Sequence, residues 1–337
     1  PAEACPVARL KGRERRTAAA NASEGLRMSM IVNPWRNFSP MRRREALAGL
    51  MFVLPWLLGL LIFTAYPVLA SVYYSFTDYT VTQAPNWVGL DNYRTMLFED
   101  PAIWKAVQNS LYYALLSVPL GLVLSLALAI LLNTRSVGIG VYRTLFYLPS
   151  LVPPIASTII FLVLFQPRGG LVNSVLSSVG LPNPAWFQDP DWSKPGLVLL
   201  SLWGVGSATV IFLAGLQEVP TSLLDAAAID GAGAWQKFWS VSLPLLSPVI
   251  LFNLVMGVIY SFQVFAQALV VGTTTGNPGE STLMFMIIIY RNAFRYFKMG
   301  YASAQAVALF VVVLAVTLAI FRTSRVWVFS ETDEAAA

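Results

Sequence analysis

The 337-residue chain has no histidine and a single cysteine, Cys5. That composition removes Ser–His and Cys–His catalysis, imidazole metal sites, intrachain disulfides and cysteine metal clusters. No Gly-x-x-x-x-Gly-Lys-Ser/Thr phosphate loop occurs either, so the chain carries no such ATP-binding motif of its own. The remaining candidates bind without covalent chemistry, and they form two sets. The first lies within apolar runs: Ser201, Trp203, Gly204, Ser207 and Thr209 in one run, Asn253, Tyr260, Ser261, Gln263 and Gln267 in another. Polar groups so placed turn toward a protein interior or a water-filled cavity. Hydroxyls need paired donors and acceptors, and sugar rings stack on aromatics, so this set suits a neutral polyol or sugar. Neither run contains Lys, Arg, Asp or Glu, which argues against a charged amino acid or a voltage-driven ion as the main cargo.

The second set lies in the interruption 217–244: Asp225, Ala226, Ala227, Asp230, Gly231, Trp235, Phe238 and Pro244. Pro220, Thr221 and Ser222 form a helix-start signal, a turn residue followed by hydroxyl caps. Leu224, Ala228, Gly231, Trp235 and Phe238 recur at three- and four-residue steps. That spacing predicts one helix face, or two short helices joined near Gly231. The segment is too polar and too interrupted to cross a bilayer, so its apolar face must meet lipid headgroups or another protein. The alanine-rich surface is smooth enough to enter a groove. Asp225 and Asp230 would be repelled by an anionic leaflet. Both details favour protein docking.

The elements that must position these sets follow from the composition. Hydrophobic residues make up 56% and charged residues 12%, where a soluble domain carries about 25% charged. The apolar residues are gathered into long runs, as a lipid solvent demands. Six spans are predicted, at 46–76, 109–132, 144–166, 196–216, 245–272 and 303–321, so the fold class is all-α integral membrane. Pro55 and Pro67 interrupt the first span, and Pro149, Pro153 and Pro154 the third. Polar stretches separate the spans, including 77–108, 167–195 and 273–302. With six spans both termini share a side. The tails and even-numbered turns hold 15 of the 22 Lys and Arg residues, which places both termini in the cytoplasm. Arg291, Arg295 and Lys298 count the other way. Residues 1–45 read as a largely disordered cytoplasmic tail, 46–325 as the transmembrane domain with a core at 105–322, and 326–337 as a second tail. The first tail is expected to include residues upstream of a natural start at one of Met28, Met30 or Met41, and not to be a cleaved signal peptide. The net charge of +5 is what cytoplasmic loops supply, and no nucleic-acid partner is expected.

The interruption resembles the signature loop of ABC importer permeases. Asp225-Ala226-Ala227, three residues, Gly231, nine residues, then Val241-Ser242-Leu243-Pro244 keeps the spacing of Glu-Ala-Ala, three residues, Gly, nine residues, Ile-x-Leu-Pro. Asp225 replaces Glu and Val241 replaces Ile. Within that family the chain is similar to the carbohydrate-importing branch, the maltose and glycerol-3-phosphate permeases. The similarity lies in Asp230-Gly231-Ala232 with Trp235, Gln236 and Phe238, in 88–93 and in 142–149, and covers roughly 45–325. The resemblance implies a type I importer permease fold with cytoplasmic coupling helices, in the prokaryotic inner membrane. It implies a second permease subunit, a dimer of ATPase subunits and an external solute-binding protein as partners. ATP and magnesium would then sit on the ATPases, with no cofactor on this chain. Asp225 would pair with a basic group on the ATPase, Trp235 and Phe238 would anchor the contact, and Gly231 would permit close approach or a tight turn. Ser261, Gln263 and Gly204 lead the substrate candidates by the same analogy.

Other readings are weaker on the residues themselves. A secondary transporter predicts internal repeats and intramembrane carboxylates, and neither is found. A membrane enzyme needs a nucleophile–base pair or a metal site. A permease of the same family for glycerol-3-phosphate or another small polar solute is the closest alternative.

Overall fold

The computed structural model describes residues 40–134 and 136–329. The expectations for the two tails and for the natural start fall on residues outside these. The chain divides into two units at Val68/Leu69, inside a helical run rather than at the end of the expected tail.

Along the chain α1 (Pro40–Leu60) carries Pro55 and continues through a π turn at Leu61–Ala65 into the helix Tyr66–Tyr74, within which the first unit ends. The run 44–74 is long and apolar enough to cross a membrane.

The second unit is built around α2 (Pro101–Leu132), a 32-residue helix about 48 Å long. Its start is fixed locally. The Asp100 carboxylate accepts from the Ala102 N–H at 3.0 Å, and Pro101 takes the first turn, where its missing N–H costs nothing. Its end is closed by Arg143, whose guanidinium donates to the Leu132 carbonyl at 2.9 and 3.3 Å. The helix begins eight residues before the predicted span, because Lys105 and Gln108 lower the apolar average without disturbing the backbone. Ala106, Ser110, Tyr113, Ala114, Ser117, Val118, Ser125 and Ala129 are buried along it at three- and four-residue steps, one face against its neighbours.

Two predicted spans are bent. The helix α3 (Ile139–Tyr147) and its extension to Leu151 meet α4 (Pro154–Leu164) at 98°, where Pro149, Pro153 and Pro154 stop the ladder. A short α5 (Leu171–Ser178) follows. Then α6 (Pro190–Trp203) and α7 (Gly206–Glu218) meet at 47°. At this bend a Cβ on Gly206 would lie 2.5 Å from the Phe146 carbonyl oxygen, so glycine is needed for α7 to cross the end of α3 backbone to backbone. Two short helices, α8 (Thr221–Ile229) and α9 (Ala234–Lys237), lead through a π turn at Phe238–Ser242 and the turn Leu243–Leu245 into α10 (Ser247–Phe262), followed by α11 (Ala266–Gly272). After α12 (Phe285–Tyr290), α13 (Met299–Trp327) closes the unit. Four helical runs are long and apolar enough to cross a membrane, up to six if each bent pair is one span, and the described residues contain no strand beyond isolated bridges at Thr77–Trp87 and Thr80–Gln83.

The stretch 273–302 is not simply a polar loop. Leu283, Met284, Ile287 and Ile288 are fully buried. The apolar run 283–289 is too short to span a bilayer, so it folds inward as a plug on α2. Polar struts hold it there. The Asn109 amide donates to the Glu280 carbonyl at 2.7 Å and to the Leu283 carbonyl at 3.1 Å, and the Phe285 N–H donates to the Ser110 hydroxyl at 2.9 Å. Tyr301, at the start of α13, donates to Asp100 at 2.9 Å. The two ends of α2 thus see different surroundings, the plug at its start and Phe212 and Leu213 of α7 at its end.

Replacing Asn109 by Ala strips a donor from two carbonyls in this packing. The cost is about 1–3 kcal/mol, read as a lowered thermal unfolding temperature of the detergent-solubilised protein. Replacing the exposed Gln108 should leave that temperature unchanged.

Candidate functional site

A cavity of about 580 Å³ opens between α2, the α6/α7 bend and the α10/α11 break. Its polar lining comes from Tyr113 and Ser117 of α2, Ser201 of α6, and Asn253, Tyr260 and Ser261 of α10, with Gln263 and Gln267 at and after the break. The two interruptions are built alike. The Gly204 N–H bonds back to the Ser201 carbonyl at 3.2 Å, and the Gln263 N–H to the Tyr260 carbonyl at 3.1 Å. Each is an i to i+3 bond that tightens the last turn and stops the helix. Irregular backbone at membrane depth persists only where protein buries it or where it lines a cavity, and both breaks contribute to the same cavity.

Seven of the ten candidate residues line this space, Ser201, Gly204, Asn253, Tyr260, Ser261, Gln263 and Gln267, and the buried Thr209 does not. Three of these side chains also bond their own helix. Ser201 donates to Val198, Asn253 to Val249 and Ser261 to Val258, at 2.6, 2.9 and 2.8 Å. Each oxygen keeps acceptor capacity for a ligand. Tyr260 and Gln263 are exposed, and Gln267 is half-buried. Trp203 and Ser207 are not among the lining residues. The Trp203 ring packs near Phe161, with centroids 5.6 Å apart. Ser207 lies just past the bend, exposed on another side of α7. Sequence reasoning missed Tyr113, Ser117 and Gly121. Their signal was present: Asn109, Tyr113, Ser117, Gly121 and Ser125 repeat every four residues in an apolar run, a polar and small stripe along α2. Lys194, placed before the predicted span, belongs to α6 but is not among the lining residues.

Of the two forms the spacing allows for segment 217–244, the structure shows two short helices, and the close approach also expected of Gly231 is not seen. At the end of α8 the Ala232 N–H bonds to the Ala227 carbonyl at 2.9 Å and the Gly231 N–H to Ala228 at 3.1 Å. This double closure is a Schellman turn, and it puts Gly231 in the left-handed region at φ +83°. A Cβ there would meet nothing within 4 Å, so glycine is required by the backbone and not by crowding. Asp225, Ala226, Asp230 and Pro244 are exposed, and Ala227 and Phe238 half-buried. Trp235 is 74% and Ile229 86% exposed. Trp235, Phe238 and Trp239 form an aromatic cluster with centroids 5.5–6.2 Å apart. Among the described residues neither Asp225 nor Asp230 forms an ion pair. The π turn precedes Pro244, whose ring cannot donate to the ladder.

A cavity with polar groups between broken membrane helices, in a chain with several apolar helices, is the form of a transport permease subunit. The chain belongs to the family of binding-protein-dependent transport system inner membrane components, whose family model matches residues 100–324. It is 41% identical to the probable ABC transporter permease protein YesP of Bacillus subtilis, over 87% of this chain and 95% of that one. It is 32% identical to the sulfoquinovosyl glycerol transport system permease protein SmoG of Agrobacterium fabrum, over 83% and 91% of the two chains. It is also 32% identical to the trehalose/maltose transport system permease protein MalF of Thermococcus litoralis, over 85% and 97%. The fold matches a chain of a bacterial ABC transporter that imports the acidic polysaccharide alginate, with a TM-score of 0.73 and 25% identity, over 84% of this chain and 96% of that one.

Single cysteines placed in a Cys5→Ser background test the cavity. Ser201→Cys and Gln267→Cys should react with a small water-soluble thiol reagent markedly faster than Thr209→Cys, which is 2% exposed in the native chain. Equal rates at all three positions would mean that no aqueous cavity lies between the breaks.

Proposed function

We propose that this chain forms half of the translocation pore of an ATP-driven importer for a sugar or oligosaccharide. The observation that carries the reading is the cavity at the two helix breaks. Its hydroxyl, amide and phenol groups can exchange hydrogen bonds with a polyhydroxylated solute while it sheds water. Relatives named for the transport of sugars and sugar derivatives, at 31–32% identity, support the same class. A second permease subunit completes the pore around this cavity. An external solute-binding protein delivers the solute, and an alginate importer of similar fold is known in complex with an oligosaccharide-bound periplasmic protein.

The segment 220–244 then faces the cytoplasm, along with both termini. It meets a dimer of ATPase subunits that hold the ATP and magnesium, and this chain does no covalent chemistry. Trp235 and Phe238 supply apolar anchoring, the kind of contact that dominates interfaces. Asp225 offers its free carboxylate to a basic group of the ATPase. The helical run from α9 to α10 links that contact to the break at Gln263, so closure of the ATPases moves the cavity lining and alternates its access.

Tagged chain purified from native membranes should bring down an ATPase subunit and a second permease. Gly231→Arg forces a long side chain into the left-handed region, which costs roughly 1–2 kcal/mol locally, and adds a cation beside Asp230. This variant should keep the second permease and lose the ATPase. Asp225→Ala, which does not strain the backbone, should weaken ATPase capture alone. A wild-type chain that purifies without any ATPase would overturn the importer reading.

A further inference from the structure

Two further cavities lie against the first turns of α2 and α13, apart from the space between the helix breaks. One, of about 460 Å³, is polar, and its lining includes Glu99, Asp100, Arg291, Asn292, Lys298 and Tyr301. The other, of about 210 Å³, is apolar, and its lining includes Met96, Ile103, Trp104, Phe285, Ala308 and Leu309. Three elements contribute to both. The helical run 91–99 gives Thr95 and Glu99 to the polar cavity and Met96 and Leu97 to the apolar one. The helix α2 gives Pro101 and then Trp104, and α13 gives Tyr301 and then Ala308. Ala308 is seven residues beyond Tyr301, two turns or about 10 Å along the same face. The polar cavity therefore sits at the helix starts, and the apolar one further along their bodies.

The charges of the polar cavity are unevenly engaged. The Asp100 carboxylate accepts from the Ala102 N–H and from the Tyr301 hydroxyl. Glu99 accepts from the Thr95 hydroxyl at 3.1 Å and lies 3.9 Å from the Arg94 guanidinium. Arg291 and Lys298 form no ion pair among the described residues. The Arg291 guanidinium lies 5.9 Å over the Tyr296 ring, and its Nε–H is buried with no hydrogen-bond partner among the described residues. A buried donor of a charged group is costly to leave unmade. Both carboxylates are thus answered within the protein, and the two cations are not. A phosphate group offers the oxygens that a guanidinium and an ammonium bind best.

The apolar cavity narrows what carries that phosphate. The polar side-chain groups at its wall are already bonded: the Ser110 hydroxyl accepts from the Phe285 N–H, and the Trp104 N–H donates to the Leu97 carbonyl. An apolar cavity without polar partners stays dry and takes an apolar occupant. Leu97, Trp104 and Val312 line it and are exposed, so it opens on the surface that lipid covers. Tyr296 is exposed at the polar cavity, as are Phe98 and Phe297, next in sequence to Glu99 and Lys298. Exposed aromatic rings of this kind collect at the membrane–water interface.

We propose that the two cavities form one phospholipid site, with the phosphate on Arg291 and Lys298 and an acyl chain in the apolar cavity. Phe285 and Arg291 flank α12, so the lipid braces the plug against α2 and α13. The site is independent of the cargo and stands or falls apart from the carbohydrate reading.

Tagged chain, purified with its partners and washed free of native lipid, is titrated in detergent with labelled dioleoylphosphatidylglycerol, whose only charge is its phosphate. Wild type should bind it saturably. Arg291→Gln should raise the Kd on the order of tenfold, the scale of one charge-assisted hydrogen bond. Lys298→Gln, at an exposed position, and Ala308→Phe, which fills the apolar cavity, should each weaken binding too. Arg295→Gln, outside both cavities, should change nothing. Dioleoylglycerol, which has the chains without the phosphate, and inorganic phosphate, which has no chains, should both compete poorly. Unfolding temperatures of the variants without lipid separate misfolding from lost binding. No saturable binding, or binding untouched by Lys298→Gln and Ala308→Phe, would overturn the proposal. Inorganic phosphate that competes as well as the lipid would leave an anion site with no acyl chain and overturn it as well. So would an Arg291→Gln chain that binds lipid normally but no longer captures the external solute-binding protein, since the cations would then serve a protein partner.

Discussion

Backbone amides and carbonyls within a bilayer have no water to bond, so each interruption of a membrane helix must be answered by protein or by a cavity. The second unit of this chain contains three such interruptions, near Val152, Gly204 and Gln263. The first is handled by proline chemistry. Pro154 opens α4 at a position that needs no donor. The other two are handled by tightened last turns and by facing a shared space. The cavity is thus a consequence of where the ladders stop. Ser201, Ser261 and Gln263 stand beside these breaks and bring polar groups to a lining that also includes Val118, Leu122, Val205 and Phe265.

The docking segment follows the opposite rule. It leaves Ile229, Trp235 and Trp239 exposed, yet its backbone is closed by the Schellman turn at Gly231. Its second half is continuous with α10 through the π turn, and the Phe329 N–H bonds to the Ser247 hydroxyl at 2.8 Å at the start of that helix. The helix α10 thus runs from this turn to the break at Gln263.

Much of this is legible in the sequence. Long apolar runs locate the spans, proline marks the α3/α4 corner, and the spacing around Gly231 marks the two-helix segment. Polarity within apolar runs finds most of the cavity lining on α6, α10 and α11. The buried plug at 283–289 is hidden because Thr, Asn, Gly and Arg on either side dilute a run too short to register as a span. The start of α2 is misplaced for a related reason. Lys105 and Gln108 are compatible with helix backbone and only depress the local hydropathy, whereas Asp100 and Pro101 are the physical start signal. Hydropathy puts Lys194 in a loop on the same ground, although Asp189 and Pro190 mark the beginning of α6 in the same way.

Trp203 and Ser207 show why polarity within a run is not sufficient. Ser201, Trp203, Gly204 and Ser207 belong to one short stretch, but only Ser201 and Gly204 line the cavity. On a straight helix Ser207 would share a face with Trp203 and Gly204, one turn back, and helical phase alone cannot rank these residues. The 47° bend at Gly204 and Val205 resets the phase between α6 and α7, so positions after it no longer continue the face before it. The bend in turn requires Gly206, since α7 can pass the Phe146 carbonyl only without a Cβ. A single glycine, needed for close approach between two backbones, therefore decides which hydroxyls of this stretch can meet a solute.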